Sequence, residues 1–237
     1  MSDEQRRIAV VTGAAGALGS AVAAELMTHG YSVAAVDLSP HLSKLQDQVQ
    51  GQGATLAVAL DPRGGGWAEA MARIQRELGT PSAAVLCAGG WGGAAFGGAE
   101  HQGVWERMLL VNLDSARRAL EAIVPPMCDE GGGSVVVVGS RVVERPWEGA
   151  GAAAYVASKS AVVALCQVLA AEVRPRGVRV NTVLPSVIDT PQNRAGMPNA
   201  DFSEWVAPRS LGGVIAFLLS DAARDVSGAA LPVYGRV

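Results

Sequence analysis

Short apolar runs alternate with helical patterns along this chain, and that alternation narrows the fold more than any other feature. Ile8 to Thr12 is a first run, ending in a Gly-rich turn, and a helical pattern follows from Leu18 to Met27. Tyr31 to Val36, Ala54 to Leu60 and Ala83 to Cys87 are further runs, the last preceded by a helical stretch from Trp67 to Leu78. A long helix is predicted from Val104 to Val124, a strand from Ser134 to Val138, and a second long helix from Ala153 to Val173. A sixth strand at Val178 to Leu184, a helix near Leu211 to Leu219 and a last strand near Leu231 to Tyr234 complete the pattern. Strands and helices in turn make parallel βαβ units. Runs that are apolar throughout belong to strands covered on both faces. The expectation is an α/β fold in which residues 1–237 form a single domain, with one doubly wound, parallel, seven-stranded sheet and helices on both faces. Ligands in such a sheet gather beyond the C-terminal ends of the strands. The segment 186–208, with three prolines, is the expected substrate-covering loop and the part expected to be most mobile.

A chain of 237 residues is long enough to bury one substantial core. Its net charge of −3 carries no footprint of a nucleic-acid partner. The charged N-terminal residues Met1 to Arg7 have no apolar segment behind them long enough for a secretion signal. The longest uncharged apolar stretch, Ala83 to Ala99, is broken by six glycines and is too short to span a membrane. Cys87, Cys128 and Cys166 lack metal-ligand spacing and fit reduced, buried thiols. A cytoplasmic protein with no membrane attachment and no metal is therefore expected.

Thr12-Gly13-Ala14-Ala15-Gly16-Ala17-Leu18-Gly19 joins the first strand to the first helix. Glycines there let the backbone approach a pyrophosphate, whose charge is met by the helix N-terminus. Gly13, Ala15, Gly16, Ala17, Leu18 and Gly19 are thus candidate cofactor-binding residues, although glycines also serve ordinary tight turns. Asp37 closes the second strand 18 residues after Gly19, with Leu38 beside it. A carboxylate there accepts hydrogen bonds from the adenosine ribose and repels a 2′-phosphate, by about 4 kcal/mol for a unit pair at about 4 Å and an effective dielectric near 20. No Arg or Lys in Leu38-Ser39-Pro40-His41 offsets it, so NAD (NADH) is expected over NADP. Asp37 also suits a cap for the next helix. Asp61 suits either an adenine contact or a turn before Pro62.

Tyr155-Val156-Ala157-Ser158-Lys159 begins a strongly helical segment, so Tyr155 and Lys159 share one helical face. A free Tyr has a pKa near 10, and a neighbouring cation lowers it. Bringing it to about 7 requires roughly 4 kcal/mol, which a partly desolvated ammonium and a positive nicotinamide ring are expected to supply. Tyr155 then works as a general acid/base. Ser140 lies 15 residues earlier, after the fifth strand, where its hydroxyl suits a substrate oxygen or a turn. Asn112 lies in an apolar helix and needs a partner there, either as a satisfied core amide or as the anchor of a relay water.

Together these residues resemble the short-chain dehydrogenase/reductase family, over essentially the whole chain. The resemblance implies a Rossmann-type fold, NAD(P)-dependent oxidoreduction of a small-molecule carbonyl or alcohol, and a homotetramer or homodimer. It makes Tyr155 the acid/base, has Lys159 bind the nicotinamide ribose and lower the Tyr pKa, has Ser140 orient substrate, and gives Asn112 the relay water. Ala88, Gly89 and Gly90 then flank the cofactor, and Pro185, Val187, Ile188 and Thr190 lie toward the nicotinamide carboxamide. There are departures. Ala17 replaces a glycine of the usual turn, where a slightly shifted turn is expected. Cys87 replaces an asparagine, Ser186 follows Pro185 in place of Gly, and the Ser140–Tyr155 interval is two residues longer than the commoner one. Ala88 to Gly93 and Asp189 to Arg194 also resemble the dihydropteridine reductases, which lack the catalytic Ser. Three readings follow: a carbonyl/alcohol enzyme, an NADH-dependent pterin reductase, and a non-catalytic dinucleotide sensor. Trp91, Trp147, Met197 and Trp205 lie near the expected substrate side and suit an apolar or planar substrate, or loop anchoring. Arg141 and Arg145 suit an acidic substrate or a solvated surface.

Overall fold

The computed structural model describes residues 7–38, 42 and 55–236. Seven strands form one sheet: β1 (Arg7–Thr12), β2 (Tyr31–Asp37), β3 (Thr55–Ala59), β4 (Ala83–Leu86), β5 (Gly133–Val138), β6 (Val178–Pro185) and β7 (Ala230–Val233). Their order is β3-β2-β1-β4-β5-β6-β7, and every neighbouring pair is parallel. The chain winds outward from β1 to β3, then returns to place β4 on the other side of β1. The crevice of such a sheet opens where that order reverses, beyond the ends of β1 and β4.

Side chains alternate along each strand, so the sheet feeds two cores. Val10, Ala34 and Val36 pack with helices α2 (Trp67–Glu77), α4 (Ser115–Asp129) and α5 (Ala153–Val173) on one face. Ala9, Val11, Val33 and Ala35 pack on the other with α1 (Ala17–Thr28) and α7 (Pro208–Leu219). By length and composition α5 is apolar enough to cross a membrane, yet it lies along β6 and buries Ala154, Val162, Val163, Cys166 and Ala170 as a core helix.

Two stretches differ from expectation. The helix predicted from Val104 to Val124 runs as α3 (His101–Met108), a π-helical segment (Leu109–Asp114) and α4, and α4 continues through Pro125 and Pro126 to Asp129. Met127 and Cys128 are buried, and their burial outweighs the backbone donors that the prolines lack. The segment 186–208 carries more structure than a loop. It holds a short helix α6 (Pro191–Gly196), a 3-10 turn (Phe202–Glu204) and a parallel bridge between Ile188 and Val206. Thr190 caps α6 by accepting from the Asn193 amide, and Asp189 pairs with Arg194 at 2.6 Å.

Candidate active site

The Gly-rich turn leaves β1 and closes against β4. Gly13 adopts φ +64, and a side chain there would put Cβ 2.8 Å from the Ala88 nitrogen. The Thr12 hydroxyl accepts from the Ala88 N–H at 3.3 Å, so turn and β4 end are tied together. Gly16 is the N-cap of α1 and offers no side chain to its first-turn N–H groups. A Cβ on Gly19 would lie 2.0 Å from the Gly13 carbonyl oxygen, so the helix starts directly on the turn. Ala17 takes the first helical position and is exposed, with Leu18 half-buried beside it. Close-packed backbone, N–H groups at a helix start and an acid at the next strand end suit a dinucleotide pyrophosphate and ribose.

Asp37 holds that turn. One carboxylate oxygen accepts from the Ala15 N–H at 2.9 Å and the other from the Leu38 N–H at 2.7 Å. The residues after Leu38 that bear on cofactor choice, Ser39, Pro40 and His41, lie outside the described residues. Asp61 pairs with Arg63 at 2.7 Å and accepts from the Arg63 backbone N–H. Its carboxyl is held below the usual range by that arginine.

The catalytic candidates converge from three elements. Asn112 is buried at the centre of the π-helical segment. Its Oδ1 accepts from the Gly90 N–H at 2.9 Å, and its Nδ2 donates to the Gly90 carbonyl at 3.1 Å and to the Ser158 hydroxyl at 3.0 Å. These bonds brace the Ala88–Gly90 strip against α5. Ser158 was not among the expected site residues. It also donates to the Tyr155 carbonyl at 2.8 Å, so one hydroxyl links Asn112 to the helix that carries Tyr155 and Lys159.

Lys159 is 7% exposed, and its ammonium donates to the Val138 carbonyl at 2.8 Å. Burial lowers its pKa to about 8, opposed by the nearby Cys87 and Cys166 thiols. Burial in turn pushes both thiols up to about 12, so they are not nucleophiles here. A Cβ on Gly89 would lie 2.9 Å from the Asn112 Oδ1 and 3.3 Å from the Lys159 Nζ, so the space over Gly89 separates those two groups.

Tyr155 sits one helical turn from Lys159, packed with Val104, Met108 and Ala154. Ser140, buried beyond the end of β5, lies close enough to the phenol to act on its pKa. Two 3-10 turns, Arg141–Val143 and Pro146–Gly149, take up the longer Ser140–Tyr155 interval. Before a dinucleotide binds, the Tyr155 pKa is raised rather than lowered. Burial raises it, Ser140 opposes, and Lys159 is not a cause. The ammonium is directed at a backbone carbonyl instead.

On the mouth side, Trp91 and Trp147 are each 72% exposed, which excludes a core role for them. The Ala94 N–H donates to the Gly151 carbonyl at 2.9 Å and so joins the segments that carry them. Trp205 packs at a tilt against Phe202 with centroids 4.8 Å apart, as a loop anchor. Arg141 and Arg145 both pair with Glu148, at 3.1 and 3.2 Å.

A family model described as short chain dehydrogenase matches residues 7–200. D-threitol dehydrogenase of Mycolicibacterium smegmatis is 32% identical, covering 97% of this chain and 92% of the relative. Cyclohexanol dehydrogenase of a Rhodococcus species is 29% identical over 97% and 95%. The crystal structure of carveol dehydrogenase from Mycobacterium avium in complex with NAD superposes with a TM-score of 0.87 at 25% identity, covering 97% and 96%. With these matches running through the whole sheet and both ends of the crevice, the chain belongs to the short-chain dehydrogenase/reductase family of NAD(P)-dependent oxidoreductases.

Proposed function

We propose that this chain is an NAD(H)-preferring enzyme interconverting an uncharged secondary alcohol and its ketone, with Tyr155 as general acid/base. The observation that carries the reading is the convergence of half-buried Tyr155, with Lys159 one helical turn away, and buried Ser140, which acts on the Tyr155 phenol. A bound dinucleotide supplies the hydride acceptor or donor. In the oxidation direction, Tyr155 takes the substrate hydroxyl proton while Ser140 hydrogen-bonds the same oxygen. The bare protein keeps the phenol protonated, so the fall in the Tyr155 pKa accompanies cofactor binding. Lys159, freed from Val138 toward the ribose, stabilises the phenolate there. Asn112 holds a relay water in the space over Gly89, giving buried Lys159 a route for protons.

At the cofactor end, Gly13, Ala15, Gly16, Ala17, Leu18 and Gly19 cradle the pyrophosphate, Asp37 and Leu38 meet the adenosine ribose, and Ala88, Gly89 and Gly90 flank the ring side. Pro185, Val187, Ile188 and Thr190 meet the carboxamide. Asp61, paired with Arg63 at the end of β3, lies toward the adenine. Exposed Trp91 and Trp147, with Arg141 and Arg145 already paired, favour an apolar, uncharged substrate over an acidic one. The relatives named for threitol and cyclohexanol support an alcohol and weigh against a non-catalytic sensor. The chain is taken to work as one domain, as a cytoplasmic homotetramer or homodimer.

The test is a turnover screen: cyclic and acyclic secondary alcohols with NAD, and ketones, quinones, 3-oxoacyl thioesters and quinonoid dihydropterin with NADH. Turnover of an alcohol–ketone pair is the expected result. Turnover of the dihydropterin alone replaces the reading with pterin reduction, and cofactor binding without any turnover overturns it.

A further inference from the structure

The C-terminal end of the chain reaches the site from a side that the acid/base machinery does not use. Tyr234 follows edge strand β7, and its backbone is tied to the substrate-covering segment. The Ser186 hydroxyl donates to the Tyr234 carbonyl at 2.7 Å, and the Arg236 N–H donates to the Glu204 carbonyl at 3.1 Å. Its side chain turns the other way, to the 3-10 turn that follows Ser140. The phenol donates to the Glu144 carboxylate, and the Arg141 and Arg145 guanidinium groups lie 5.9 and 5.8 Å from the ring centroid. The turn is internally stiff: the Val143 N–H donates to the Ser140 carbonyl at 3.1 Å and the Glu144 N–H to the Arg141 carbonyl at 3.0 Å.

We propose that Tyr234 is a positioning residue that latches the Ser140-bearing turn to the substrate-covering segment and so sets where the Ser140 hydroxyl meets the reacting oxygen. The two arginines beside the ring are balanced by Glu144 and by Glu148, with which both arginines pair. The contact therefore holds the two segments together without presenting a net charge to substrate. Burial and Glu144 raise the Tyr234 pKa to about 12, so the donor stays protonated at working pH. A group placed by a stiff short turn loses its alignment when the far end of the turn is released, and small misplacements cost rate more than binding. The kinetic consequence rests on the reading of Ser140 given under Proposed function; the latch itself does not.

The experiment compares wild type, Tyr234→Phe, Glu144→Gln and the double variant, each also in a Ser140→Ala background. Hydrogen–deuterium exchange of the cofactor-free protein comes first. Tyr234→Phe is expected to speed exchange in residues 141–145 and 186–190 while leaving the Gly-rich turn and the thermal midpoint unchanged. Unchanged exchange at 141–145 overturns the latch even if no substrate is known. With cyclohexanol and NAD as the kinetic probe, or the best alcohol of the screen, Tyr234→Phe lowers kcat about tenfold and leaves the KM for NAD alone. Adding Glu144→Gln lowers it no further. In Ser140→Ala, itself about a hundredfold slower, Tyr234→Phe has no added effect. An equal further loss in that background, or no loss in the parent, overturns the proposal. A wild type that turns over no alcohol or ketone contradicts the proposed function and leaves the exchange result to decide the latch.

Discussion

The two ends of the crevice are built from different materials. Around β1 and β2 the site is backbone: Gly13 and Gly19 pressed against one another, the N–H groups of Ala15 and Leu38, and one carboxylate holding them. Around β5 and α5 it is side chain: a phenol and a serine hydroxyl brought close, an ammonium on a carbonyl, and an amide bonded to Gly90 and Ser158. A backbone site tolerates no added atoms but offers little to titrate. A side-chain site tolerates conservative changes in shape, and its charge states depend on burial. The halves should therefore fail in different ways.

Gly19→Ala is the largest break expected at the backbone end. Its Cβ would lie 2.0 Å from a carbonyl oxygen, and the turn must open. The cost is about 3 kcal/mol or more in stability, and NADH binding is lost. Calorimetric unfolding with a cofactor titration checks this, and a variant of unchanged stability and affinity would mean that the turn is not close-packed.

Lys159→Met tests the side-chain end through pH. Lys159 titrates near 8 in the folded protein and near 10.4 when unfolded. Between those values the unfolded chain binds more protons, so this group makes stability rise with pH. Wild type is expected to gain up to roughly 3 kcal/mol on Lys159→Met from pH 8 to pH 10.5, while the variant is inactive throughout. Parallel urea curves for the two proteins across that window would show that Lys159 is not desolvated. The smallest effect returns to the backbone end. Wild type favours NAD over NADP by about tenfold or more in kcat/KM, and Asp37→Ser narrows that ratio. Comparable turnover of both at limiting cofactor would remove Asp37 as the selector.

The same division explains what was legible in the sequence. Strands were readable because they are apolar throughout, and the Gly-rich turn because glycine at close contacts has few substitutes. Tyr155 and Lys159 were readable because helical spacing alone puts them together. The π-helical segment was not, since nothing in Leu109–Asp114 breaks the helical pattern. It accompanies the hydrogen bonds of Asn112 to Gly90 and Ser158, which lie 22 and 46 residues away. Ser158 was hidden for the same reason, although its place between Tyr155 and Lys159 was a usable signal. Helical spacing reports that Tyr155 is near Lys159 but not that the ammonium is spent on Val138, which is why burial, and not Lys159, sets the direction of the Tyr155 pKa before a dinucleotide binds. The order inside 186–208 escaped because its bridge, cap and ion pair join residues that carry no periodic pattern.

The central claim is that Tyr155 carries the proton. Single-turnover hydride transfer with Tyr155→Phe, using the alcohol and cofactor found by screening, tests it most directly. The expected result is a rate at least about a thousandfold lower with NADH affinity unchanged, and loss of the pH dependence assigned to the phenol. Full turnover by Tyr155→Phe on that substrate would contradict the account.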